Sequence, residues 1–115
     1  MAIADSGINL SRENRDRCGV CFGTTIGGEN EIYEGQYRRF LEHGPGAVRR
    51  LTSSELTPHI ATGYICSELK ITGPNSTMSA GCSTGLEVIN WGYKIVKRGE
   101  VDMALIGCSD TPVFP

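Results

Sequence analysis

The stretch NSTMSAGCSTGLEVINW, Asn75 to Trp91, decides the fold. Asn75 to Ala80 are uncharged, small or β-prone, as in a strand. Beyond the small residues around Cys82 the period changes. Leu86, Ile89, Tyr93 and Val96 fall on one helical stripe, with Val88, Trp91 and Ile95 alongside. Lys94, Lys97 and Arg98 suit the C-terminal end of the helix dipole, and Gly99 stops the helix. VDMALIGCSD, Val101 to Asp110, then reads as an apolar strand of a sheet covered on both faces. Strand, helix, strand in that order is a βαβ unit, so the class is α/β.

Working outward, PHIATGYICSELK predicts a helix opened by Pro58, with Ile60, Tyr64, Ile65 and Leu69 on a face. ITGP is a turn and PGAVRRLTSSEL a loop. NEIYEGQYRRFLEHG places Ile32, Tyr33, Gln36, Tyr37, Phe40 and Leu41 at helical spacing and ends at Gly44. TTIGGENE is a glycine-rich turn. It lacks the lysine and the spacing of a phosphate-cradling loop. RCGVCFG predicts a short buried strand closing on Gly23, and MAIADSG the end of a helix stopped by Gly7. That first helix has barely two turns, and TPVFP follows a buried strand with no closing element. The chain is therefore expected to be incomplete at both ends.

The 115 residues suffice for one domain, spanning 1–115, with a modest core. A net charge of −2 gives no basic field for nucleic acid or a membrane surface. Arg12, Arg15 and Arg17 alternate with acids, as on a solvated face. No apolar run approaches the ~18 residues of a membrane span. The N-terminus has no basic region before its apolar residues and is not a secretory signal. Five cysteines, an odd number, favour free thiols in a reducing, cytoplasmic setting. Cys18 and Cys21 form a CxxC, but residues three apart on a strand point to opposite faces. Cys66, Cys82 and Cys108 offer no second pair for zinc.

Cys82 and Ser83 compete as nucleophile. Gly81-Cys82-Ser83-Thr84-Gly85 matches G-x-S-x-G, the turn that carries the serine of α/β hydrolases. Those enzymes place the histidine after the serine, whereas His43 and His59 both precede Ser83. A cysteine between a strand and a helix N-terminus meets unpaired backbone N–H groups, which favour a thiolate and can hold an oxyanion. It needs less help from a base than a serine does. Spacing alone leaves a third possibility open, a Cys82 that merely packs beneath the helix.

Along its whole length the chain resembles an elongating beta-ketoacyl-acyl-carrier-protein synthase with the thiolase-like fold. The resemblance lies in AIADSGINLSREN, RCGVCFGTTIGGENE and HIATGYICSELKITGPNSTMSAGCSTGLEVINWGYKIVKRGEVDMALIGCSD, in that order. It implies part of the N-terminal half of a layered α/β/α fold with a mixed sheet. Cys82, eight residues past Pro74, stands at the position of the family's acyl-accepting cysteine. Gly81 replaces the alanine common before it, which is expected to loosen the turn. The resemblance further implies an acyl-Cys82 intermediate condensed with a malonyl-carrier thioester in fatty acid or polyketide synthesis. The partner would be an acyl carrier protein with its phosphopantetheine thioester. No metal or bound cofactor is implied. The family's catalytic histidines have no counterpart in His43 or His59, so condensation by this chain alone is not expected. In the family the strand before the cysteine pairs with its twin, which implies a homodimer through Asn75 to Ala80. Lysine at Thr77 is expected to weaken it. A serine hydrolase using Ser83 and a non-catalytic association module are the alternatives.

Overall fold

A computed structural model describes residues 2–27 and 29–110. Its centre is a three-stranded sheet of β1 (Cys18–Gly23), β2 (Asn75–Met78) and β3 (Met103–Cys108), in the order β2-β1-β3. Both pairings are parallel, with Val20 beside Asn75 on one side and Gly23 beside Cys108 on the other. The α/β class holds. The strand–helix–strand unit expected at Asn75–Asp110 forms, but its strands are not neighbours, because β1 lies between them. The expected sheet was mixed; the three strands among the described residues are all parallel.

Helices cover both faces. Alternation along β1 turns Cys18 and Val20 to one face, where they pack with Ile71, Met103 and Leu105. Ile65, Cys66 and Leu69 of α4 (Ile60–Leu69) close over them. The helix α5 (Thr84–Lys97) covers the opposite face, and glycine makes the room. A side chain at Gly19 would come within 2.7 Å of Ile95, and one at Gly92 within 2.9 Å of Ile106. Thr84, Val88, Gly92 and Ile95 are the buried residues of α5. Burying Val88 and Ile95 contributes roughly 1.5–3 kcal/mol each.

Periodicity locates α5 but leaves open which of its two apolar stripes faces the sheet. Leu86, Ile89, Tyr93 and Val96 are exposed, and the residues alongside them face the sheet. Likewise β3 is half covered rather than buried throughout, with Ile106 exposed.

The remaining elements run over the surface. A short helix, α1 (Ala2–Asp5), precedes Gly7, which takes a positive φ of 70°. The long helix α2 (Glu29–His43) ends at Gly44, with φ 78°. Tyr33 and Tyr37 stack on each other, ring centroids 5.7 Å apart, and remain exposed. The segment expected as loop contains a 3₁₀ turn at Pro45–Ala47 and a one-turn helix, α3 (Thr52–Glu55). Buried Gln36 holds it to α2 by accepting the Arg49 N–H at 3.0 Å. Pro58 precedes α4, which begins at Ile60. The TPVFP segment lies outside the described residues.

Candidate functional site

The carboxyl ends of parallel strands form the edge where open α/β sheets place their ligands. Here that edge gathers Gly23, Met78 and Cys108. The strand β2 stops at Met78, two residues short of the expected Ala80. Ser79 and Ala80 lead into a 3₁₀ turn, Gly81–Ser83, and α5 opens at Thr84. Cys82 is the middle residue of that turn, exposed and unpaired.

The turn is closed by its own side chains. Gly81 has φ 56°, a left-handed conformation that glycine adopts without strain. The Thr84 hydroxyl donates to the Gly81 carbonyl at 2.7 Å and accepts the Ala80 N–H at 2.8 Å. The Ser83 hydroxyl donates to the Ala80 carbonyl at 2.9 Å. The Ser83 N–H reaches the same carbonyl at 3.2 Å. Gly81 therefore fits the turn instead of loosening it.

The two candidate side chains differ in their contacts. The Ser83 hydroxyl is spent on the backbone. His43 pairs with Glu42 at 3.7 Å, and the His59 ring lies 3.5 Å from the Thr57 hydroxyl. Neither contact involves Ser83. The Cys82 side chain has no hydrogen-bond partner among the described residues and faces solvent.

The other thiols differ from it. Cys18 and Cys21 are buried, and burial pushes Cys21 up to about 11. Burial raises Cys18 and Cys66 in the same sense. Cys18 belongs to the cluster beneath α4, and Cys21, an odd number of residues along β1, points to the α5 face. The CxxC pair is thus split across the sheet. Among the described residues no group of three His, Cys, Asp or Glu side chains is placed to hold a metal ion. Cys108 is exposed like Cys82, at the end of β3.

A second knot flanks the turn. The Asp110 carboxylate accepts the Thr24 hydroxyl at 2.7 Å and the Thr25 and Ile26 N–H groups at 3.0 Å. Those bonds, the Ile26 N–H foremost, pull it down to about 2. The Thr24 hydroxyl accepts in turn from the Gly27 N–H at 2.8 Å. The Thr24 N–H binds the Met78 carbonyl at 3.0 Å, joining this knot to the end of β2. Sequence reasoning missed both Thr84 and Asp110. Thr84 carried a local signal, a threonine opening a helix three residues after a glycine. Asp110 carried none, because its partners lie more than eighty residues away.

The profile of the family described as beta-ketoacyl synthase, N-terminal domain, matches residues 1–115. The chain is 32% identical over 112 residues to 3-oxoacyl-[acyl-carrier-protein] synthase 2 of Staphylococcus aureus. That match covers 97% of this chain and 28% of the relative. It is 29% identical over 122 residues to a polyketide beta-ketoacyl synthase of Streptomyces halstedii, covering 99% of this chain and 28% of that protein. The chain thus spans little more than a quarter of these relatives' length. Its fold matches a ketosynthase solved in complex with its type II polyketide acyl-carrier protein. There the TM-score is 0.89 at 17% identity, over 100% of this chain and 33% of the other. It also matches the ishigamide ketosynthase/chain length factor, with TM-score 0.83 at 23% identity, over 95% and 27% of the two chains.

Proposed function

This chain belongs to the beta-ketoacyl synthase family, whose N-terminal domain profile matches its residues 1–115, and from that premise we propose that Cys82 is its acyl-accepting nucleophile. The observation that carries the proposal is the free, exposed Cys82 thiol in the closed turn at the head of α5. The Cys82 sulfur attacks the carbonyl carbon of an acyl-carrier thioester. A new C–S bond forms, the carrier's C–S bond breaks, and the carrier thiol leaves with the proton. In the second half-reaction a malonyl-carrier thioester loses carbon dioxide. The resulting carbanion attacks the acyl carbonyl and expels the Cys82 thiolate. The donor is an acyl carrier protein bearing phosphopantetheine, acting in fatty acid or polyketide elongation in the cytoplasm. The ketosynthase solved with its carrier supports that choice of partner by its common fold. Among the described residues no helix is long and apolar enough to cross a membrane.

Two further features belong to the proposal. The edge strand β2 pairs with its copy across a two-fold axis, giving a homodimer. This chain loads an acyl group without condensing it, since neither of its two histidines, His43 and His59, has its contact with a residue of the turn. Acid–base and electrostatic groups contribute ~10²–10⁴ each, so condensation without them should fall below detection. Incubation with an acyl-carrier thioester and then malonyl-carrier should leave acylated chain and no released ketoacyl product. Release of ketoacyl product overturns the division between loading and condensation.

A further inference from the structure

We infer that Thr84 is the positioning residue of the Cys82 turn, acting through its hydroxyl. The inference rests on the reading of Cys82 as the acylated nucleophile. Thr84 is among the most buried residues of the chain, 1% exposed, although it directly follows the exposed Cys82–Ser83 pair. Its hydroxyl makes two bonds of opposite sense to the two residues preceding Cys82. It donates to the carbonyl of Gly81 and accepts the N–H of Ala80. Only a group that is both donor and acceptor can do this. The two bonds fix the peptide groups on the entry side of Cys82 from one atom.

The hydroxyl is itself held in place. The Thr84 methyl group lies where a side chain on Gly23 would have to go, so threonine and glycine fit each other across the helix–sheet contact. Gly23 ends β1 and pairs with Met78 in β2 and Cys108 in β3. The turn carrying Cys82 is thereby referred to the rigid sheet rather than to the surface loops. A nucleophile must approach its target within a narrow range of distance and angle. An anchor one atom deep in the core supplies that constraint.

The test uses the cysteines as their own controls. Iodoacetamide labelling of the full chain, read by peptide mass, gives a rate for each thiol. Cys108, also exposed, reports general accessibility, and buried Cys18 and Cys21 report folding. Thr84→Val removes the hydroxyl at nearly constant volume. Thr84→Ser keeps it. In Thr84→Val the Cys82 rate should change by roughly fivefold or more, the factor that corresponds to one net hydrogen bond. Cys108 should be unchanged, and Cys18 and Cys21 still protected. In Thr84→Ser the ratio of Cys82 to Cys108 should stay within about twofold of the parent. A parental Cys82 rate in folded Thr84→Val overturns the inference. So does a Thr84→Ser change of fivefold or more with Cys18 and Cys21 protected, which would assign the role to the methyl group even if the valine variant unfolds. Alkylation needs no acyl donor. Hydroxyl-dependent labelling with no acylation of Cys82 would therefore refute the proposed function and leave the role of Thr84 standing.

Discussion

At the scale of single residues, hydrogen bonds decide what each side chain can do. Cys82 and Ser83 are adjacent and both exposed, yet only Ser83 has its side chain committed to the backbone. Asp110 stands at the other extreme, with its carboxylate shared among Thr24, Thr25 and Ile26. Its folded value near 2 lies below the ordinary 3.8. The stability it supplies is therefore present above pH 3.8 and lost as pH falls toward 2. Asp110→Asn should lower the urea midpoint at pH 7, because the amide N–H₂ cannot accept from a backbone N–H. The difference from the parent should shrink at pH 2.5. A parent and variant whose midpoints fall in parallel with acid would contradict this role. Cys82 was legible as a candidate from its place between strand and helix. The choice over Ser83 needed the family resemblance first and the hydrogen bonds afterwards, since spacing fits both.

At the scale of elements, the edge strand β2 shows how a face can be misjudged. The sequence offers Thr77 as the place where a lysine would weaken pairing by setting like charges near the two-fold axis. The Thr77 hydroxyl instead meets that of Thr62 at 2.5 Å beneath α4, and Thr62 is buried. Lysine at Thr77 would break the helix–strand packing and say nothing about pairing. Asn75 is exposed on the same strand and is the better probe. Asn75→Lys should weaken dimerisation by setting like charges near the axis, while leaving the fold intact. Sedimentation is the measurement: the unmodified chain is expected to dimerise at micromolar concentration and the variant to dissociate. A stable monomer for the unmodified chain would count against pairing through β2. Similar physics explains α5. Two apolar stripes run along it, and hydrophobic period cannot say which one is inward. The smaller residues mark the inner face, where Thr84 and Gly92 let the helix approach Gly23 and Ile106.

At the scale of the whole molecule, the α/β class and the principal helices and strands were readable because they follow from short-range period and capping. Gly7, Gly44 and Gly99 end segments as their positive φ values require. Strand order was not readable. The β1 strand lies between β2 and β3 through contacts separated by more than fifty residues, and no local pattern encodes that. Nor does local pattern say which apolar side chains are covered. Leu86 is 71% exposed and Leu41 64%, in a chain that spans 28% of its Staphylococcus aureus relative. The proposed function places the chemistry at the edge formed by the ends of the three strands, where the Cys82 turn, Thr84, Thr24 and Asp110 are tied to one sheet. The most direct test of that placement is the intact mass and peptide map of the chain after exposure to an acyl-carrier thioester. One acyl group per chain, located on Cys82 and absent from Cys82→Ala, is the expected result. An acyl group on Ser83 or Cys108, or an unmodified chain whose Cys21 remains protected, would contradict it.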